Sequence, residues 1–383
     1  MGDVELYFGW RTALLGLAVV QMLVLAIAVA GRPENRIANR LLAAFLVALG
    51  GFVTPYAIGF AGAYDAWRWL TFAPFSITLS LPPLLFAYTQ ALVSGRAPPR
   101  FALHMIAPGL QLAYFLIAFA LPLEAKWAWY TGPHGTVIGP IFQVAFMASL
   151  AAYAVASVRL LRRYRAGLAE QRSDDDRFAA VWLTRVIIAL AAVLALYSGF
   201  ALWDLISGGI DFFQETGLYL AVSAIGLYLG VEGWRHAGLR FPTLQPAAMP
   251  ETRAEPDWAA LAADYDARLR DGGWAREPDL SLPVVARRLA TNTGRLSRAI
   301  NQGLGVNFSA WINGVRAETV AAALDAGSTE DLLTLALDAG FSSKASFNRA
   351  FQARYGVAPS RYRRGVSHPD FSSVAPEMRR AAG

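Results

Sequence analysis

Two short stretches of this sequence carry side chains fit for reading a polyanion. Gly294, Arg295, Ser297 and Arg298 make up the first, and Lys344, Ala345, Asn348 and Arg349 the second. At helical spacing each set falls on one side of a short helix whose other side is apolar. An arginine fork pairs bidentately with guanine and an asparagine amide with adenine, each discriminating by about 1–3 kcal/mol. Other chemistries lack their residues. There is no cysteine, hence no disulfide, thiolate metal site or cysteine nucleophile, and the four histidines (His104, His134, His236, His368) are scattered without a pair at ligand spacing. No nucleotide loop, kinase motif or nucleophile–base pair is visible. The expectation is a protein that is not an enzyme and takes no cofactor or metal.

The elements that must hold these side chains follow from the apolar periodicity. Residues 257–270 read as an amphipathic helix through Trp258, Leu261, Tyr265 and Leu269. Ser281 is a good N-cap for a helix over 282–289, with Leu282, Val285, Ala286 and Leu289 on one face. Thr291-Asn292-Thr293 breaks it, and a second helix over 294–304 turns Leu296, Ala299, Ile300 and Leu304 inward. Two short helices around a tight turn, the second polar and basic outside, form a helix-turn-helix layout. A longer helix over 307–324 follows, with Phe308, Trp311, Ile312, Val315, Val320 and Leu324 as its core. After Gly327-Ser328-Thr329 the short pattern recurs. Residues 332–339 end at Gly340, suited to a C′ position; Phe341-Ser342-Ser343 turns the chain, and 344–355 buries Phe347, Phe351 and Tyr355.

The stretch Ala339-Gly-Phe-Ser-Ser-Lys-Ala-Ser-Phe-Asn-Arg-Ala-Phe-Gln and the following Tyr355-Gly-Val-Ala-Pro-Ser-Arg-Tyr-Arg-Arg364 resemble the C-terminal signature of AraC-type (AraC/XylS) transcription regulators. The upstream Leu280-Ser-Leu, Leu296-Ser-Arg, Gly305-Val-Asn-Phe and Trp311-Ile-Asn are similar to that family's first unit. The resemblance covers residues 280–364. Ala358 departs from the family's usual Ser, Thr or Lys, and the lead-in to the second unit differs too; neither touches the outward faces. The resemblance implies a seven-helix domain whose two helix-turn-helix units present their second helices to successive major grooves. By position in the motif, Gly294, Arg295, Ser297 and Arg298 would line the first groove and Lys344, Ala345, Asn348 and Arg349 the second. Ser281, Ser343 and the neighbouring amides would hold phosphate. Charge agrees: residues 280–364 hold eleven basic side chains against five acidic ones, which favours phosphate and makes affinity salt-sensitive.

The rest of the chain is of another kind. Of 383 residues 55% are hydrophobic and only 16% charged, against about 25% charged in an ordinary soluble domain. One water-soluble globule and a disordered chain are both excluded. Seven apolar runs, 12–30, 41–61, 69–93, 101–121, 137–158, 183–206 and 216–234, are long enough to span a bilayer as helices. Their alternate connections carry thirteen basic residues on one side and three on the other (Arg11, Arg68, Lys126). Basic residues stay in the cytoplasm, so the N-terminus is expected outside and the C-terminal domain in the cytoplasm. Acidic Asp3 and Glu5 stand where a cleavable signal would be basic. Pro82-Pro83 are expected to kink the third span. Asp204 and the intramembrane glutamines Gln21, Gln90, Gln111 and Gln143 are its polar positions. Gly226 and Gly230 permit close helix approach, within the chain or between copies. Asp174-Asp175-Asp176, beside Arg172 and Arg177, reads as a solvated loop rather than a metal site.

The fold class expected is therefore all-α, a seven-transmembrane-helix bundle followed by a seven-helix domain with two helix-turn-helix units. Residues 1–236 form the membrane sensor domain, 237–256 a proline-rich linker, 257–366 the DNA-binding domain and 367–383 a disordered tail. The function expected is that of a one-component regulator in the inner membrane. Its partners would be double-stranded promoter DNA, the lipid bilayer, RNA polymerase, a small-molecule or envelope signal, and a second copy of the chain. The competing reading is a transporter or receptor-like protein with a regulatory helix-turn-helix tail. Against it stands the lack of an inverted repeat or paired discontinuous helices.

Overall fold

The structure is a computed structural model that describes residues 6–193, 213, 215–244 and 256–365. The described elements are helical, apart from one isolated bridge between Arg172 and Ser281, and two compact units separate. Residues up to Tyr164 together with Ala180–Thr243 form one; Arg165–Ala179 together with the residues from Leu244 onward form the other. Residues 165–179, a connection between two apolar runs, thus belong with the C-terminal unit.

In the first unit the elements are α1 (Trp10–Ala30), α2 (Arg36–Gly59), α3 (Leu81–Ser94), α4 (Ile106–Phe119), α5 (Gly139–Ala169, its last residues in the second unit), α6 (Val181–Val193) and α7 (Thr216–His236). Among the described residues four helical stretches are long and apolar enough to cross a membrane: α1, α2, Leu123–Ala169 and α7. Helix α1 shows why length alone is not the point. Leu15, Ala18, Met22, Ala26 and Val29 recur at helical spacing and are buried, yet Leu14, Leu17, Val20, Val24 and Ile27 on its other side stand exposed. A helix apolar all round is suited to a core or to lipid. Helix α7 packs through glycine. A Cβ at Gly226 would lie 2.4 Å from Leu49, at Gly230 2.8 Å from Leu25, and at Gly233 2.2 Å from Leu42. The small-residue seam is therefore filled from α1 and α2 of the same chain.

Two expectations change here. The third apolar run is not one helix: 3-10 turns at Arg68–Leu70 and Thr78–Ser80 precede α3, and Pro82-Pro83 sit in the first turn of α3. Proline is tolerated there because the first-turn N–H groups have no intrahelical acceptor, so the pair starts a helix instead of kinking one. Gln111, expected as a polar position within a span, is buried. Its Oε1 accepts from the Leu79 amide at 2.9 Å and its Nε2 donates to Thr78 Oγ1 at 3.0 Å, which fixes the turn leading into α3. The far part of the sixth run with Asp204, most of the proline-rich linker, and the tail lie outside the described residues.

The second unit contains α8 (Trp258–Asp271), α9 (Leu282–Arg288), α10 (Thr293–Arg298), α11 (Phe308–Asp325), α12 (Leu332–Asp338), α13 (Lys344–Tyr355) and α14 (Pro359–Arg363). Helix α11 divides its buried face between two cores. Phe308, Trp311, Ile312 and Val315 join Leu282, Val285, Leu289, Leu296 and Ile300 in one. Ala317, Val320 and Ala321 join Leu335, Phe341, Phe347 and Phe351 in the other. One rigid helix thereby fixes the spacing of the two short helix pairs. Leu304, expected inward, is 38% exposed. The helix after α10 widens to a π-type turn over Ala299–Leu304 and ends at Gly305 with positive φ, which rotates Leu304 off the buried face.

Candidate nucleic-acid interface

Helices α9 and α10 are joined by a short turn in which Asn292 acts as the N-cap: its side-chain oxygen accepts from the Arg295 amide at 2.7 Å. Leu296 anchors the buried side of α10. Arg295 is then exposed on the other side, while Gly294, Ser297 and Arg298 are half-buried. The second pair repeats the design. Ser343 caps α13 by accepting from the Ser346 amide at 3.2 Å, and Phe347 and Phe351 anchor the helix from below. Lys344, Ala345, Asn348 and Arg349 are all exposed. Gly340 closes α12 with φ +98°, and a Cβ there would lie 2.6 Å from the Arg276 carbonyl oxygen, so only glycine fits that junction.

Ser281 differs from the expectation. It precedes α9 in an extended conformation, but its side chain makes no capping hydrogen bond. Instead its residue bridges Arg172, and the first amide of α9, Leu282 N, donates to the Gln171 carbonyl at 2.9 Å. A side-chain cap would need the second or third helical amide; the second position is Pro283, which has no N–H, and the third amide, Val284 N, donates to the Ser281 carbonyl at 3.0 Å.

Gln171 and Arg172 are part of a strap over residues 165–179, which reaches the second of the faces just described at Arg349. Glu170 accepts from Asn301, which also lies 3.4 Å from Ser297 Oγ on the first helix pair. The Ser173 amide donates to the Leu280 carbonyl at 3.1 Å. Asp175 accepts from Ser309 Oγ at 2.8 Å near the start of α11. Asp176 accepts from Ser346 Oγ at 2.7 Å and pairs with the Arg349 guanidinium on α13. The acidic triplet is not a solvated loop: Asp174 is 2% exposed and held bidentately by Arg172 at 2.6 and 2.9 Å. Burial raises the Asp175 carboxyl above its ordinary value, a shift moderated by the Ser309 hydrogen bond and the nearby Arg349 charge.

Arg316 is likewise misplaced by composition, which counts it among the outward charges. It is 1% exposed on α11 and donates to the Ala275 carbonyl (2.6 Å), the Glu277 carbonyl (2.5 Å), Asn313 Oδ1 (2.9 Å) and Ser173 Oγ (3.1 Å). Burial lowers its pKa to about 10. The signal was there in the periodicity: 312, 316 and 320 share one helix face, and Ile312 and Val320 are core. Ser346 and Asp176 were also missed. No local pattern foretells that they meet, since 170 positions separate them.

Among the described residues no group of three or more metal-ligating side chains gathers. Residues 285–365 match a family model described as a helix-turn-helix domain. An uncharacterized HTH-type transcriptional regulator of Staphylococcus aureus, and its counterparts in strains MSSA476 and N315, are each 37% identical over 86 residues. That similarity covers 22% of this chain and 11% of each relative. The solved C-terminal domain of AraT, a response regulator from Geobacillus stearothermophilus, is 26% identical over 31% of this chain and 93% of that one, at a TM-score of 0.24. The chain thus carries a C-terminal domain of the HTH-type transcriptional-regulator class, and several long apolar helices that are candidates for membrane spans precede it.

Proposed function

We propose that this protein is a membrane-embedded, one-component transcription regulator of AraC type. Residues 1–236 act as a sensor in the inner membrane, residues 237–256 as a linker, and residues 257–366 as a cytoplasmic DNA-binding domain with two helix-turn-helix units, followed by the tail 367–383. The observation that carries this reading is the shared helix α11. It seats α10 and α13 on two linked cores, with Arg295 and Arg298 on one and Lys344, Asn348 and Arg349 on the other. Two readers at a fixed spacing suit successive major grooves. Arg298 and Arg349 are assigned to base edges, and Asn348 to adenine where it occurs. Gly294 and Ala345 let the backbone approach the groove closely. Arg295, Ser297, Lys344, Ser343 and the amides beside Ser281 are assigned to phosphate and to positioning.

The sensing half has a place for a ligand. A cavity of about 460 Å3 lies among α2, α4, α5 and α6, with Phe45, Phe52, Tyr56 and Phe115 for apolar contact and Gln143 and His134 for polar contact. Concave, mainly apolar space with a few polar groups is the usual form of a small-molecule site. Bound promoters, RNA polymerase as the protein contacted there, and pairing of two copies on a double site complete the reading. The test is genome-wide mapping of DNA bound by the full chain in cells. Discrete peaks that vanish in an Arg298→Ala/Arg349→Ala variant, still inserted in the membrane, are expected. A chain that enriches no DNA, or a variant with the same peaks, overturns the reading.

A further inference from the structure

The strap over residues 165–179 holds Arg349, one of the side chains assigned to base edges, and ends beside Ser297 of the first reader. At one end Glu170 engages Asn301, beside Ser297 of the first reader. In the middle the Gln171 carbonyl accepts from the Leu282 amide at the start of α9. At the other end Asp176 takes both Ser346 Oγ and the Arg349 guanidinium. The Asp176 carboxylate thus occupies the guanidinium that base reading by α13 would need. Duplex DNA and the strap ask for the same guanidinium, and negative phosphates approaching Asp175 and Asp176 would be repelled.

We propose that the acidic strap 165–179 is a built-in competitor of DNA, which holds Arg349 of the second reader until the membrane half withdraws it. The inference rests on the DNA-binding reading above and names its regulation. The chain's connectivity supplies the lever. The strap's front end is continuous with α5, which ends at Ala169, and Val181 begins α6 directly behind it. Both helices are apolar and both line the 460 Å3 cavity, α5 through Gln143 and α6 through Leu190. A ligand that changes the packing of α5 against α6 changes the two points from which the strap is held. Such a ligand shifts the closed–open balance only by its differential affinity for the two states.

Not every contact of the strap is of the releasable kind. Ser173 is buried and tied to Leu280, Asn313 and Arg316. Its ends are different: Arg349 is 64% exposed, and Asn301 is exposed as well. An exposed ion pair of this kind is weak, because water screens it. The strap is therefore fastened at its centre and loosely held where it meets the readers.

The natural chain has no cysteine, so a pair introduced by Asp175→Cys and Ser309→Cys, whose side chains meet at 2.8 Å, reports on the strap alone. The full chain is purified in lipid nanodiscs and its affinity for a mixed-sequence DNA duplex is measured at low salt, where phosphate attraction dominates. The oxidised, locked form is expected to bind about tenfold or more weakly than the same protein after reduction. In the cysteine-free chain, Asp176→Ala is expected to tighten binding about two- to fivefold, whereas Asp271→Ala, an equal charge change at an exposed position on α8, has a smaller effect. Equal affinity of the locked and reduced forms overturns the inference and makes the strap a structural part of the domain. Failure of the disulfide to form under oxidation also overturns it, because the strap then does not lie on α11. If no form binds duplex, reduced and Asp176→Ala forms included, the DNA-binding reading itself falls, and the inference with it.

Discussion

Arg316 and Ser173 stand 143 positions apart in the sequence, yet the arginine Nη2 donates to the serine Oγ at 3.1 Å inside the C-terminal unit. Four acceptors from three separate segments converge on this guanidinium: the Ala275 and Glu277 carbonyls, Asn313 on its own helix, and the strap. It ties the strap's centre, the turn before α9 and helix α11 together. Taking Arg316 away would leave two backbone carbonyls without their donor in a dry interior, at about 1–3 kcal/mol for each unsatisfied group. Arg316→Ala is therefore expected to destabilise the C-terminal unit by about 3 kcal/mol or more. Arg316→Lys is expected to recover little, because an ammonium cannot reproduce the fork. Urea unfolding followed by tryptophan fluorescence, with Trp274 and Trp311 in that unit, measures both; stabilities within 1 kcal/mol of the parent on the same scale would remove Arg316 as its fastening.

Most of what positions the readers was legible in the sequence. The apolar spacing gave Leu282, Val285, Leu289, Leu296, Ile300, Phe347 and Phe351, all buried. Such local periodicities suffice because each helix buries a stripe set by its own 3.6-residue repeat. What stayed hidden depends on a local break or a distant partner. Ser281 has the residue type of an N-cap, but the second position of α9 is Pro283, which has no N–H. Leu304 continues the apolar repeat, but a π-turn breaks the register ahead of it. Asp174, Asp175 and Asp176 read as loop by composition alone, since nothing near them in the sequence names Ser309, Ser346 or Arg349. The third apolar run satisfies a hydropathy window, which is blind to the break before Leu81.

The two readers are expected to differ from the cations around them in what their loss does. Arg298→Ala and Arg349→Ala should each relax sequence preference at one base pair, by about 1–3 kcal/mol of lost discrimination. Non-specific affinity should change far less. Selection of duplexes from a random pool by the full chain, compared for parent and variants, gives the preference at every position. An unchanged preference in both variants would withdraw the base-reading assignment while leaving the helix-turn-helix domain in place.

Lys344 is exposed at the first position of α13 and is assigned to phosphate. Its loss should weaken binding to all sequences alike. Each neutralised phosphate contributes a slope of about −0.9 to log affinity against log salt. Lys344→Ala is accordingly expected to flatten that slope by about one with the preferred sequence intact. A titration of duplex binding over a series of salt concentrations reads the slope directly, and a slope equal to the parent's would place Lys344 off the DNA backbone.

Asp175 gives the strap a pH dependence whose sign can be worked out. Burial raises its carboxyl above its ordinary value when the strap is docked, with Ser309 and Arg349 opposing and Asp174 adding to the rise. A raised acid favours the docked state when protonated. That contribution is fully present below the undocked value and is lost as pH rises through the docked one. Lowering the pH from neutral should thus open with a first phase in which the strap tightens. Asp175→Asn should dock more tightly than the parent at neutral pH and lack the first phase. Hydrogen exchange at the Ser173 amide, which donates to Leu280, follows docking once corrected for the intrinsic rate. Protection that falls steadily on acidification in the parent would show that Asp175 is ionised and content in its site.

The arrangement as a whole requires that the readers and the chromosome share a compartment, and charge makes a definite forecast of it. Thirteen basic residues in alternate connections against three in the others forecast the former in the cytoplasm, because the bias of Lys and Arg sets orientation. The strap lies in one of the basic connections, with Arg165, Arg172 and Arg177, so it must fall on the same side as α10 and α13 for the contacts of Asp176 to exist. A phosphatase that is active only outside the cytoplasm, fused after Gly135, should be active; fused after Arg172 or after Gly383 it should be silent. A fluorescent reporter that folds only in the cytoplasm should give the opposite pattern. Activity of the phosphatase at Gly383 alone would set the C-terminal unit apart from both its strap and DNA, and neither the regulator reading nor the competition between strap and duplex could survive it.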